Sequence, residues 1–337
     1  MRPVPPMKKL RRHLLISCVG LLVAQRVTGQ RPERRRLVGV MIPFAEANAE
    51  AQLQVAAFRE ELARLGWQDG RNASFEYRWG GGDVNRIRSD AKELVAMKPD
   101  VILARTTPVT KALRAETAAV PIVFVVVSDP VGDGLVDSLG RPGGNITGFT
   151  NVESSFGSKW LELLREVFPS LAQVAVLYGP KTAPGGGAYY WQLVEDAARS
   201  LGIKATRAPI HEPADIERAI ATFGRDKRAG LVVAPDVTTL SNHQRIIALA
   251  AIHRVPAVYP WPSAPDAGGL MSYGVEYLDL YRRAAGYADR ILRGTRPADL
   301  PIQQPAKFEF VMNLGAAKAL GLPISPSLLL RADRVIR

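Results

Sequence analysis

Three hydroxyl side chains are placed for chemistry in this 337-residue chain. Thr106 and Thr107 lead straight into an amphipathic stretch, and Ser128 closes an apolar run. Hydroxyls beside the free N–H groups of a helix start suit a carboxylate. Asp129 and Asp236 could pair with an ammonium, and one charge-assisted contact of that kind fixes a ligand's orientation. Phe44, Tyr178, Tyr259 and Tyr273 lie at or near the ends of apolar runs and offer aromatic walls. These residue types suit capture of a small polar molecule. Each also has a plainer role. Thr106, Thr107, Ser128 and Asp236 could cap helices, Asp129 before Pro130 suits a turn, and single aromatics more often belong to cores. Arg105, at the end of an apolar strand, could meet an anionic ligand. The simpler expectation is that its stem carries the charge out to solvent.

Reaction chemistry is harder to assemble. Beyond His13 near the N-terminus there are only His211, His243 and His253. The last two fall ten residues apart on one predicted helix, which does not give the shared face of an i, i+4 metal pair. The chain contains no H-E-x-x-H, G-x-S-x-G or G-x-x-x-x-G-K-[ST] pattern. Gly185-Gly186-Gly187 lies between a strand and a helix, where phosphate loops occur, but its spacing fits neither nucleotide fingerprint and reads as a connector. The pattern points to no catalytic residue, no metal and no cofactor.

Periodicity indicates what must position these residues. Leu37–Ile42, Val101–Ala104 and Ile122–Val127 are short buried-type strands, and Ala73–Trp79 alternates as a half-exposed one. Helical spacing falls between them, at Glu50–Leu65, Val84–Met97 and Val109–Thr117. The rhythm then restarts with strands at Val174–Tyr178, Lys204–Ala208, Leu231–Ala234 and Ala257–Tyr259. Helices are predicted at Lys159–Val167, Tyr189–Leu201, Asp215–Phe223 and Thr238–His253. Val- and Ile-rich strands alternating with helices describe parallel sheets covered on both faces, so the fold class is α/β, with two doubly wound, Rossmann-like lobes. In such sheets ligands sit beyond the carboxyl ends of the strands, where the residues above fall.

Composition agrees with a folded two-lobed chain: 47% of residues are hydrophobic and 23% charged, which excludes a polytopic membrane protein and a disordered chain. The formal charge of +12 is local. Residues 1–36 hold ten cations against one anion, whereas the rest carries 34 cations and 31 anions, so no nucleic-acid partner is implied. Lys8, Lys9, Arg11 and Arg12 precede the apolar run from Leu14 to Ala24, which has the length of a signal-peptide core and is too short to span a bilayer. Cleavage is expected after Gly29, with Ala24 as the competitor, and Arg11-Arg12 also fits a loose twin-arginine signal. Either cut removes Cys18, the only cysteine, and with it disulfide and thiol chemistry. Residues 30–36 read as a basic, solvated linker.

An ordered set of segments carries a family resemblance: Leu37–Pro43, Glu61–Asn72 (E-E-L-A-R-L-G-W-Q-D-G-R-N), Pro99–Pro108, Pro121–Gly132, Arg141–Asn151, Gly268–Gly274 (G-G-L-M-S-Y-G), Ile291–Pro297 and Lys307–Gly321. From Leu37 to the C-terminus the chain resembles ABC-transporter substrate-binding proteins of the type I periplasmic-binding-protein fold, in the branch that includes aromatic amino-acid binders. The resemblance implies lobe one from 37–150 plus 275–304 and lobe two from 151–274 plus 305–337, behind a signal peptide at 1–29. Three crossings would hinge at Thr150–Asn151, Gly274 and Pro305. The pocket would draw on Phe44, Thr106, Thr107, Ser128, Asp129, Asp236 and Tyr273. The chain departs from the usual small residues of the family at Arg105-Thr106. The expected function is periplasmic capture of an amino acid or related carboxylate for import by an inner-membrane permease, by a monomer that performs no catalysis. The alternatives are an envelope sensing domain reporting to a membrane partner and, further off, a secreted enzyme.

Overall fold

The computed structural model describes Met1 and residues 34–337. The signal segment, both cleavage sites and Cys18 lie outside the described residues. The end of the basic arm is tied to the first layer, with Arg34 and Arg35 exposed. Arg36 already belongs to the first strand and donates to Asp100 Oδ1 at 2.8 Å. Leu37 N–H donates to the other carboxylate oxygen at 2.9 Å, and Arg35 Nη2 donates to Gly70 O at 2.7 Å.

The first half of the chain runs β1 (Arg36–Ile42), α1 (Ala49–Arg64), β2 (Ala73–Trp79), α2 (Val84–Ala96), β3 (Val101–Arg105), α3 (Thr107–Glu116), β4 (Ile122–Val127) and β5 (Ile146–Thr150). Its strands form one parallel sheet in the order β2-β1-β3-β4-β5. The apolar run of β3 shows why the sheet is buried on both sides. Val101 and Leu103 join a core with Phe58 and Leu62 of α1, while Ile102 and Ala104 join one with Leu94 of α2 and Leu113 of α3.

The chain continues through α4 (Phe156–Val167), β6 (Gln173–Tyr178), α5 (Ala188–Leu201), β7 (Lys204–Pro209), α6 (Pro213–Phe223), β8 (Ala229–Val233), α7 (Val237–Ser241), α8 (His243–Ile252), β9 (Ala257–Tyr259) and β10 (Met271–Val275). After α9 (Tyr277–Leu292) come β11 (Phe308–Asn313), α10 (Leu314–Leu320), α11 (Pro326–Arg331) and β12 (Arg334–Ile336). The second sheet has the order β12-β11-β10-β9-β8-β6-β7 and is parallel except where β10 meets β11.

Helix α9 packs on the first layer, against α1 and the strands β3, β4 and β5. The chain therefore passes between the sheets three times: after β5, between β10 and α9, and between Gln303 and β11. The last passage is fastened to the first, because Thr150 N–H donates to Gln303 O and Gln303 N–H to Gly148 O, both at 2.9 Å.

The single helix expected over Thr238–His253 is two helices. Asn242 breaks it at φ −108°, ψ 14°, where its side-chain amide donates to Thr238 O at 2.8 Å and competes with the regular backbone ladder. The glycine run forms a tight turn before α5 with Gly187 at φ 95°. A β-carbon on Gly187 would stand 2.1 Å from Tyr178 Cε2, so the connector has a packing role as well. Among the described residues no helix is long and apolar enough to cross a membrane, and no cluster of His, Cys, Asp and Glu suits a metal ion.

Candidate functional site

The ends of β1, β3, β4 and β5 come together with α9 and the second layer. Arg105 is the residue that defies its expected placement. It is only 2% exposed, its Cζ lies 4.5 Å from the Phe44 ring centroid and 5.9 Å from that of Tyr277. The reason is register. As the fifth residue of β3 it points to the same face as Val101 and Leu103, where α1 and α9 cover the sheet, so its stem has no path outward. Its Nε is buried without a partner, and among the described residues its guanidinium makes no hydrogen bond or ion pair.

Thr106 is bent into φ 76°, ψ 160°, a conformation that side chains rarely adopt. The turn is held by Thr106 N–H donating to Val125 O at 2.9 Å and by Thr110, whose N–H and hydroxyl both donate to Thr106 O. Yet the Thr106 hydroxyl caps nothing: it is buried and unpartnered beside Arg105. Thr107, also buried, is the first residue of α3. Tyr277 and Tyr281 sit one turn apart at the start of α9, both feel the charges of Arg105 and Glu50, and burial pushes Tyr281 up to about 12. The Tyr281 hydroxyl is a further buried oxygen with no partner.

A chain of polar contacts runs from Ser128, just after β4, into the second layer. Ser128 Oγ lies 2.9 Å from Asn151 Oδ1 and 2.7 Å from the Tyr190 hydroxyl, which donates to Pro235 O at 3.0 Å. As oriented, three contacts share two protons. With the Asn151 amide turned over, Nδ2 donates to Ser128, Ser128 to Tyr190 and Tyr190 to Pro235, and each contact carries a proton. The Asn151 carbonyl then takes the buried, unpartnered place of Nδ2. Two more bonds join the layers: Ser263 Oγ donates to Glu50 Oε2 at 3.2 Å, and Gly185 N–H to Asp133 Oδ1 at 3.4 Å. A cavity of about 380 Å³ opens at the seam, lined by Phe44 and Asn48 from one side and Leu240, Ser241 and His243 from the other.

The remaining sequence candidates have other surroundings. Asp236 caps α7 and accepts four donors: Gly179 N–H at 3.0 Å, Thr182 Oγ1 at 2.9 Å, Thr238 N–H at 2.8 Å and Thr239 N–H at 3.1 Å. Burial pushes its carboxyl up to about 6, and those four donors restrain the rise. Asp129 accepts Gly132 N–H at 2.8 Å within its own turn. Tyr178 is buried against Gly187. Tyr273 stacks on Phe308, with centroids 6.0 Å apart, and meets the edge of Phe156, while its backbone oxygen accepts from Trp160 Nε1 at 2.9 Å. At the crossings, a β-carbon on Gly274 would stand 1.8 Å from Pro260 O, and Pro305 is buried.

The structure thus brings Phe44 against Arg105, next to Thr106 in the chain, and Ser128 against Asn151 and Tyr190, while Asp129, Asp236, Tyr178 and Tyr273 are engaged elsewhere. Tyr190, Tyr277 and Tyr281 lie beside these residues and were not singled out from the sequence. The i, i+4 spacing of the last two on an amphipathic helix was the available signal.

Residues 39–336 match the model of the family described as ABC transporter substrate binding protein. The chain belongs to that family. This substrate-binding protein is 27% identical, over 265 residues, to a tyrosine-binding protein of Clostridioides difficile, covering 79% of this chain and 75% of that one. A conserved domain protein from Vibrio cholerae superimposes with a TM-score of 0.83 at 27% identity, over 90% of this chain and 100% of that one. A domain from Streptococcus pneumoniae in complex with L-Trp also gives 0.83, at 22% identity and the same coverage. The fold is that of type I periplasmic-binding proteins, and the family binds substrates for transporters and does not transform them.

Proposed function

We propose that this substrate-binding protein captures a small organic carboxylate between its two sheet layers, outside the cytoplasm, and delivers it to an ABC permease for import. One observation carries the reading: Arg105 Nε and the hydroxyls of Thr106 and Tyr281 are buried with no hydrogen-bond partner among the described residues, and Tyr281 feels the Arg105 charge. Buried polar groups are normally satisfied, and an orphaned one costs about 1–3 kcal/mol, so a bound carboxylate is the natural acceptor for them. The expected basic signal segment and the tyrosine- and tryptophan-binding relatives support export and an organic acid as the solute class.

On this reading the layers act as lobes that part at Thr150–Asn151, Val275–Glu276 and Gln304–Pro305, as a monomer. The three interlayer bonds hold the closed form, and ligand favours it by binding that form better. Asp236 keeps the loops after β6 and β8 in place rather than touching ligand. Thermal shift across amino acids and small organic acids tests the proposal. Stabilisation by at least one carboxylate, lost in Thr106→Ala, is expected; no stabilisation by any member of the panel contradicts it.

A further inference from the structure

The second layer holds a cavity of its own, away from the seam. It has a volume of about 360 Å³ and is lined by α8, β9, the loop before β10 and α10. Every lining residue falls between Ile247 and Leu320, and none comes from the first sheet or from α9. The gap exists because its walls are small: Ala250 and Ala251 on α8, Ala316 and Ala319 on α10, Gly268 and Gly269 in the loop. The floor is buried, with Ala257 and Tyr259 each 1% exposed, while Ala251, Gly315 and Ala319 form an exposed rim. Among the described residues no charged side chain lines it.

Tyr259 is the polar group on that floor with nothing to bond. Ser272 pairs with Tyr259 across β9 and β10, and strand alternation puts Ala257, Tyr259, Leu270 and Ser272 on one face. Ala257, Tyr259 and Leu270 all line the cavity, so that face is the one turned toward it. Burial raises the Tyr259 pKa with no hydrogen bond or charge opposing the rise, and its hydroxyl has no hydrogen bond among the described residues. Ser272 Oγ, on the same face, is also buried without a partner. Asn313 is engaged at both ends, donating to Pro265 O and accepting from Ala316 N–H, each at 2.8 Å. A β-carbon on Gly269 would stand 2.8 Å from Tyr259 Cε2, so glycine there leaves the ring its place.

We infer that this cavity is a second binding site, for a small uncharged ring compound whose single oxygen accepts from the Tyr259 hydroxyl. Walls without charge do not repay the desolvation of an ion. A peptide would bring more backbone groups than one hydroxyl can satisfy. Size narrows the class further. A cavity of roughly 150 Å³ holds benzene, so about 360 Å³ suits two fused rings. An apolar pocket with one placed polar group is the usual form of such a site.

The test is calorimetric titration with three probes of one shape: 1-tetralone, tetralin, which lacks the oxygen, and 1-naphthoate, which carries a charge. Tetralone is expected to saturate one site and to bind about fivefold tighter than tetralin, the factor of one hydrogen bond between neutral groups. Naphthoate is expected not to bind there. Tyr259→Phe brings tetralone and tetralin to equal affinity. Its melting temperature without ligand does not fall, because the hydroxyl it loses has no partner. Ala316→Leu fills the gap from α10 and abolishes binding of both neutral probes. The two variants act from different elements, so misfolding of one leaves the other decisive. The inference is overturned if neither neutral probe binds saturably, or if the wild type binds tetralone and tetralin equally. Naphthoate binding as tightly as tetralone, a preference that survives Tyr259→Phe, or unchanged binding in Ala316→Leu overturns it as well. Solute capture at the seam is untouched by any of these results, since the carboxylate panel tests it separately.

Discussion

The carboxylate of Asp236 receives N–H groups from Gly179, Thr238 and Thr239 and the hydroxyl of Thr182, and it is buried as it does so. Burial disfavours its charged form, so the folded chain takes up this proton at about pH 6, whereas the unfolded chain does so near pH 4. Between those values the folded state holds more protons than the unfolded one. On this group alone, stability falls as pH rises from about 4 to 6, by on the order of 3 kcal/mol, and is level above that. Denaturant titrations across the window are expected to show that slope in the wild type and not in Asp236→Asn. The variant also loses about 2 kcal/mol at neutral pH, because its amide nitrogen must face a donor. Tyr190→Phe removes the hydroxyl that spans Ser128 and Pro235. Its folding stability is expected to drop by about 1 kcal/mol and its ligand affinity to weaken, measured by denaturation and calorimetry on one preparation. Asp236, Thr106 and Ser128 were legible in the sequence as polar residues at strand ends, caps or contacts. Which of the two each became depended on donors supplied from other segments, such as Gly179 for Asp236, and no local pattern announces those.

The β3–α3 turn holds Thr106 at φ 76°, ψ 160°, a region nearly reserved for glycine. Thr106→Gly relieves that strain and is expected to raise folding stability by about 1 kcal/mol, even after the extra freedom of the unfolded chain is counted. The same change removes the unpartnered hydroxyl and weakens ligand. A variant with weaker binding and a higher melting temperature is the signature of a strained turn kept for function. Gly187→Ala should act in the opposite sense. At φ 95° and with Tyr178 Cε2 in the space a β-carbon would take, it is expected to destabilise by about 2 kcal/mol or more, which chemical denaturation reads directly. Most strands and helices were legible because apolar runs of four to six residues alternate with 3.6-residue periodicity. Arg105 was not, since a strand-end arginine looks the same in sequence whether the next helices leave its stem a way out or cover it. The break at Asn242 was hidden for a related reason: its side chain competes with the helix only once Thr238 lies one turn behind.

Two sheets, three crossings and a seam of polar contacts make closure the property on which the proposed capture turns. The doubly wound architecture followed from the alternation of strands and helices, and the return of α9 to the first sheet followed from family resemblance rather than from any pattern in Tyr277–Leu292 itself. Ser128–Tyr190, Glu50–Ser263 and Asp133–Gly185 tie the layers together, and each contact is lost if the layers part. At roughly 1 kcal/mol apiece, such bonds hold an equilibrium that a ligand of modest differential affinity can shift. Small-angle scattering during titration with the carboxylate that stabilises the protein most measures this shift. The radius of gyration is expected to fall on saturation, and to remain at its larger value in Arg105→Met at the same ligand concentration. A wild-type radius unchanged at full occupancy would mean that the layers do not close around their solute.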